Sequence, residues 1–461
     1  MNSTFRWLTV ALASAWALVS VGCTTASPEP LEPTLSVEEM QAAIDLVEAS
    51  IADVHLSAVD APPFEFESAV AKARTQASAP LPEAEFFIVL SETVVALHDA
   101  HTRIELVPAE GGRLDLPILW LEEGPVVLRD AGDLRRGDLV VRIGSLAAAE
   151  VLADLVSIVP HESEGHVRAA APELLVREQV LRGLGLLDSE DIDVVVERDG
   201  IEHTVTLALR DGSEPVEDRP WFGYTVDVER GHGLFWLDRC EVTAEYLAAV
   251  EAFFTEIAGA GIGHVIVDLS RNPGGNSIVA FAFLRYVDSD YRSFSVDQRI
   301  STPVLEAYPI YADSAFQQAL ASVGIDLMSE VWPMPGDFLA AGIEMQLPPI
   351  SEAARYSGRV DAIIGPRTFS SGHLFAIMIA DAHLGELAGE PTGNETSFQG
   401  QIVRLPIPGT SMQLTVSSAR NRRPDPDAAD ADALEPTILV PWTRAQIEDG
   451  TNTQLEALLA E

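Results

Sequence analysis

From about residue 220 the chain alternates between two periodicities, and that alternation limits the folds open to it. "HGLFWLDR", "GHVIVDLS", "VDAIIG" and "GELAGE" are short branched-apolar runs of strand type. Between them stand "TAEYLAAVEAFFTEIAG", "NSIVAFAFLRYV" and "SSGHLFAIMIADA", apolar at helical spacing. Strand runs that take turns with helices bury their faces by layering, so this order predicts an α/β domain built of βα units. Residues 288–356 break the alternation and read as an irregular insertion.

Upstream the pattern changes twice. "SVEEMQAAIDLVEASIADVH" opens on a Ser cap with Glu39 three residues on, and "PEAEFFIVLSETVVALHDA" follows, so residues 36–106 read as helical. Residues 107–215 are β-rich, with "LDLPILWL", "GPVVLRD", "GDLVVRIGS" and "DIDVVVERDGIEHTVTLAL" separated by turn residues. A helical stretch over 147–187 interrupts them. "DLRRGDLVVRIGSL" has the outline of a PDZ domain, a module that captures extended peptide at a sheet edge; a generic small β domain fits the same pattern. With the α/β domain over 216–461, the 461 residues form two or three folded units.

The first 23 residues read as an export leader: Arg6, then an uncharged apolar run from Trp7 to Val21, then Gly22-Cys23. That run is shorter than the roughly 20 residues a membrane-spanning helix needs. Gly22-Cys23 resembles a bacterial lipoprotein cleavage site, which makes Cys23 the expected lipidation site and residues 24–35, rich in Pro, a tether. Simple secretion with cleavage nearby is the plainer alternative. With Cys23 acylated, Cys240 has no partner for a disulfide, and two cysteines exclude zinc sites built on CxxC pairs. Acidic residues number 71 against 29 basic ones, a formal charge of −42 that repels nucleic acid and anionic membrane. Membrane contact is therefore expected only through the lipid.

Three segments bear residues suited to chemistry. In "IIGPRTFSSGHLFAIMIA" a strand runs into a helix at Ser370-Ser371. A helix start offers free N–H groups and the positive dipole end to a developing oxyanion, but Ser and Thr there are more often plain caps. Thr368, Ser370 and Ser371 all fit that description. In "GHVIVDLSRNPGGNS" paired glycines, Gly274 and Gly275, allow close backbone approach and a second N–H donor, or form an ordinary Gly-rich turn. In "LHDAHTRI" His98 and His101 flank Asp99; a third metal ligand is not apparent nearby.

Taken together, these segments resemble the tail-specific, or C-terminal-processing, serine peptidases of family S41, in the branch near the tricorn core protease and the interphotoreceptor retinoid-binding modules. "VIVDLSRNPGGNS" is similar to that family's DLRxNxGG segment, with Ser270 and Pro273 departing from it. "RTFSSGHLFA" with "GELAGEPTG" resembles its TxSxxE…GExTxG block, and "LHDAHTRI" its D-G-H-T segment with Ala100 in place of glycine or serine. "SSARNRRPDPD" and "LEPTILV" resemble the closing segments. The resemblance implies a ClpP/crotonase-like catalytic core with an N-terminal helical region and an inserted PDZ-like domain. It also implies a polypeptide substrate, unfolded or with an exposed C-terminus, and no metal or organic cofactor.

The same resemblance assigns roles. Ser370 is the nucleophile, and Ser371 with Gly274 or Gly275 holds the oxyanion. One branch of the family uses a lysine base, but Glu395 stands where that lysine would be, and the only lysine, Lys72, matches no family position. The tricorn-like branch uses histidine, which places the base at His101, a residue type well tuned to take a proton near neutrality. His373, three residues beyond Ser370, fills the family's acidic position. An α/β-hydrolase would need G-x-S-x-G and a late histidine; Thr368 stands where its first glycine belongs. For the acid orienting His101, Asp430 in "DPDAADADALEP" is the closest match and Asp432 the fallback. The rival readings are a hydrophobic-ligand binder on the same fold, which has no reason to keep a Ser370–His101 pair, and a scaffold that only docks C-termini.

Overall fold

The computed structural model describes residues 34–107, 111–211 and 219–461. The leader, Cys23 and the tether up to residue 33 lie outside the described residues, and no helix within them is long and apolar enough to cross a membrane.

Ser36 caps helix Val37–Val54 by accepting from the N–H of Glu39, whose carboxylate accepts from the N–H of Ser36 in return. Its buried face is Met40, Ala43, Ile44, Val47, Ile51 and Val54, a spacing of three and four that turns one stripe inward. Helices Phe64–Gln76 and Glu83–Val95 complete the N-terminal unit. The chain then enters strand Arg103–Leu106, which pairs antiparallel with strand Met412–Arg422 near the far end of the sequence. Residues 98–102 are thereby brought to the C-terminal half of the molecule.

The β-rich middle region forms one sheet in the order Ile201–Ala208, Asp191–Arg198, Leu139–Ile143, Gly124–Val127, Ile118–Leu121. A turn closed by Ala131 and Leu134 stands where the PDZ outline calls for a short helix before Gly137. The interrupting stretch carries helices Ala148–Val156, Glu164–Leu175 and Glu178–Gly183. Its apolar positions share a core with the N-terminal helices and the strands of the C-terminal half.

The α/β domain holds two sheets. The first runs Phe222–Asp227, His232–Leu237, His264–Asp268, Arg359–Ile364, Leu387–Gly389, Ile438–Leu439, antiparallel at the first pair and parallel thereafter. His264–Asp268 and Arg359–Ile364 are almost wholly buried, as parallel strands covered on both faces must be. Helices Ala244–Ala260, Ile278–Leu284 and Ser370–Asp381 pack on this sheet. The second sheet corrects the reading of residues 288–356. Strands Ser295–Arg299 and Val331–Met334 pair with each other, and Ser295–Arg299 pairs with Met412–Arg422, so the segment is an integral part of the sheet that also carries Phe398–Pro406.

Candidate active site

Strand Arg359–Ile364 delivers the chain to helix Ser370–Asp381 through a turn pinned from several sides. Thr368 is not a cap: its hydroxyl donates to the Leu269 carbonyl at 2.8 Å and accepts from the Gly365 N–H at 3.0 Å. The Phe369 N–H donates to the Asn272 carbonyl at 2.9 Å, which ties the turn to the glycine loop. Ser371 is not a cap either, since its hydroxyl donates to the Gly275 carbonyl at 2.8 Å. Ser370 opens the helix at φ +51°, a left-handed conformation that costs a side-chain-bearing residue energy and clusters at functional sites. Its N–H is held by Asn394 Oδ1 at 2.6 Å, while its Oγ has no hydrogen-bond partner among the described residues.

The glycine loop lies directly against this turn. A Cβ on Gly274, which sits at φ +100°, would meet Ser370 Cβ at 2.5 Å, so the close approach requires glycine. The Gly274 N–H, expected as an oxyanion donor, is already committed to Asn272 Oδ1 at 2.8 Å. Asn272 is fully buried, with its amide donating to the Leu237 carbonyl at 2.9 Å, so this acceptor is fixed in place. The N–H groups of Ser371 and Gly275 have no internal acceptor among the described residues.

His101 reaches the same turn from the N-terminal unit. Its ring stacks on that of Phe369, the residue before Ser370, with centroids 4.5 Å apart and planes at 23°. It is 5% exposed, and neither ring nitrogen has a hydrogen-bond partner; in particular none is made to Ser370. Burial, helped by the charge of Arg103 and opposed by Asp99, pushes the imidazole down to about 4, so it is neutral at pH 7, the state a general base requires.

The carboxylate beside His101 is Asp99, with Oδ1 4.0 Å from Nδ1 and accepting the His101 N–H at 2.9 Å. Its Oδ2 pairs with His55 Nε2 at 3.1 Å and the Thr102 hydroxyl at 2.6 Å. Burial alone would push Asp99 up; the hydrogen bond and charge of His55, with His101 and Thr102, prevail and hold it well below the usual carboxylate range. Asp430 is not brought to the imidazole. It is exposed and accepts from the Ser397 hydroxyl at 2.5 Å; Asp432 is exposed as well. His373 is fully buried and bonds through Nε2 to the Glu395 carbonyl at 3.0 Å, while Lys72 pairs with Glu92 at 2.6 Å on the N-terminal helices. Burial pushes the Cys240 thiol up to about 12, which leaves it un-ionised and no rival nucleophile.

One residue at the site was not anticipated. Glu162, from the link between helices Ala148–Val156 and Glu164–Leu175, accepts from the Ala100 N–H at 3.2 Å and from Asn394 Nδ2 at 2.6 Å. Polar atoms of Asp99, His101 and Glu162 lie within 4.8 Å of one another. All four carboxylate oxygens of Asp99 and Glu162 already accept N–H or O–H groups from the surrounding residues.

A cavity of about 470 Å³ lies beside Phe369, lined by residues of strand Arg103–Leu106 and helix Glu164–Leu175 and by Pro273 and Pro366. That volume is in the range of small-molecule and side-chain pockets. The site thus combines a serine hydroxyl at a helix start, a neutral buried imidazole against the same turn and free backbone N–H groups, with a cavity adjoining it at Ala100 and Phe369.

Residues 242–440 match the family model of peptidase family S41. No curated protein matches the chain. Among solved structures, mature CPAF complexed with lactacystin aligns at a TM-score of 0.65 and 15% identity, covering 92% of this chain and 97% of that one. Mature CPAF aligns at 0.63 and 14% identity, covering 89% and 94%. At such identities the likeness to these structures establishes the fold.

Proposed function

We propose that the chain is a serine peptidase of family S41, whose model matches residues 242–440, and that it works by a Ser370–His101 mechanism on unfolded or C-terminally exposed polypeptide. Ser370 Oγ attacks the peptide carbonyl as His101 takes the hydroxyl proton. The imidazolium returns that proton to the leaving amine, and water then releases the acyl group by the same route. Ser371 and Gly275 supply the N–H groups for the oxyanion, and each such donor is worth about 100- to 1,000-fold in turnover. Export with a lipid on Cys23 completes the reading.

The observation that carries it is the stacking of His101 on Phe369, which sets a neutral imidazole with no hydrogen bond at either nitrogen against the residue preceding Ser370. The absence of a Ser370–His101 hydrogen bond in the free enzyme accords with this role, because catalytic hydrogen bonds often tighten only when substrate binds. The test is cleavage of an unfolded model protein by the chain from Thr24 onward, compared with Ser370→Ala and His101→Ala. Both variants are expected to lose at least about 1,000-fold in kcat. Cleavage that survives Ser370→Ala would remove the nucleophile. A wild type that binds the polypeptide without cleaving it would favour the binding protein over the enzyme.

A further inference from the structure

We infer that Glu162 is a positioning residue for this reaction: its carboxylate clamps the loop that holds the nucleophile to the turn that carries the base. The inference rests on the Ser370–His101 reading. The clamp is a continuous path of hydrogen bonds. The N–H of Ala100, immediately before His101, donates to Glu162 Oε1 at 3.2 Å. Asn394 Nδ2 donates to Glu162 Oε2 at 2.6 Å, and Oδ1 of the same Asn394 accepts the N–H of Ser370 at 2.6 Å. The Glu395 N–H adds a third donor to the carboxylate at 3.3 Å. Asn394 is fully buried, so its amide has no freedom to exchange these partners for solvent.

A structural cap would not need this arrangement. Glu162 belongs to the middle region of the chain and lies 62 positions from Ala100 and 232 from Asn394, yet it fastens both. The same segment sends His166 to the nucleophile turn, where it stacks on Phe369 at 4.5 Å, the separation at which His101 stacks on that ring. The middle region therefore completes the site with two side chains. When His101 takes the serine proton, the cation forms within 4.8 Å of the Glu162 carboxylate, which then stabilises charge that the resting enzyme lacks.

Glu162 faces Asp99 and His101 on the base turn and Glu395, with its partner Arg420, on the nucleophile side; His161 and His166 flank it on its own segment, and Arg103 acts on His101 and His166. Burial first, then the charge of Asp99, pushes its carboxyl up to about 8, against the pull of Asn394 and the Ala100 N–H. The clamp is an ionised carboxylate, so in the free enzyme it forms as pH rises through that value. The expected signature is an alkaline rise in kcat/KM belonging to Glu162, coupled to His101.

The experiment measures kcat and KM against pH for wild type, Glu162→Gln and Asn394→Asp, using the chain from Thr24 and one unfolded substrate. Glu162→Gln is expected to lower kcat by about 100-fold, the scale of a misplaced reacting group, with KM changed less than about threefold, and to abolish the rise near pH 8. Asn394→Asp sets a second carboxylate beside Glu162 and is expected to move that rise to higher pH. If Glu162→Gln does not fold, Asn394→Asp and Glu162→Asp decide. A Glu162→Gln enzyme with wild-type kcat and the rise intact overturns the inference, as does an Asn394→Asp enzyme whose rise stays in place. Ser370→Ala in the same assay separates the two readings: activity there sinks the mechanism as a whole, whereas an inactive Ser370→Ala beside a normal Glu162→Gln sinks only the role of Glu162.

Discussion

Replacing Gly274 by alanine tests the site through its backbone rather than its side chains. The added Cβ would lie 2.5 Å from Ser370 Cβ, 2.9 Å from the Ser371 nitrogen and 3.0 Å from the Phe369 carbonyl oxygen. Carbon atoms rest about 3.5–4.0 Å apart, so the loop and the nucleophile turn must separate by roughly 1 Å. Displacements of that size at a reacting group cost on the order of 100-fold in rate. The φ of +100° adds strain of about 1–3 kcal/mol, to be shared between the loop and the fold. The assay is kcat on an unfolded substrate together with thermal melting, and the expected result is a loss of about 100-fold in kcat with a cooperative melt retained. Gly275→Ala is the contrast. Its Cβ would run into the Cys240 carbonyl oxygen at 2.1 Å and break the bridge that holds the loop to the segment at Cys240, so lost stability should dominate. A Gly274→Ala enzyme with wild-type kcat and melting temperature would refute the claim that this glycine abuts the nucleophile.

Two further predictions concern positions assigned by resemblance. Asp430→Asn keeps an acceptor for the Ser397 hydroxyl, so kcat should stay within about threefold of wild type, and a loss near 100-fold would restore Asp430 as the acid that orients His101. Cys23→Ala should release the chain from the membrane fraction and end incorporation of labelled fatty acid, whereas a wild-type chain that takes up no label would rule out the anchor.

The parts of the site that lie at strand-to-helix junctions were legible in the sequence, because a branched run followed by a helical pattern locates Ser370 and the Gly274-Gly275 loop without knowledge of anything distant. His101 became legible only through resemblance, since a histidine at the end of a helical run looks the same whether it serves chemistry or packing. Glu162 was not legible. In "VPHESEGHV" it occupies a polar link between helices, where a carboxylate is what a solvated loop ordinarily carries. Its meaning comes from Asn394, 232 positions away, and periodicity holds no information at that range. The same limit explains residues 288–356. Strands Ser295–Arg299 and Val331–Met334 are only five and four residues long, and the strand that joins the first of them to the rest of the sheet begins at Met412. His55 is a similar case. It follows an amphipathic helix with nothing in the local pattern to single it out, yet its ring meets buried Asp99 across 44 positions.

The antiparallel pairing of Arg103–Leu106 with Met412–Arg422 also bears on self-digestion. A peptidase that cuts unfolded chains has its own unfinished copies as substrate. Here the base turn is secured by contacts such as the Ser417 N–H on the Thr102 hydroxyl, 3.0 Å apart in space and 315 positions apart in sequence. Closing a loop of that span is slow, and the strand pairing beside His101 waits for it. On the proposed mechanism, a partly made chain therefore carries Ser370 without the base at His101 until strand Met412–Arg422 is in place. On the Ser370–His101 mechanism proposed above, the order of the sequence acts as a safety interlock.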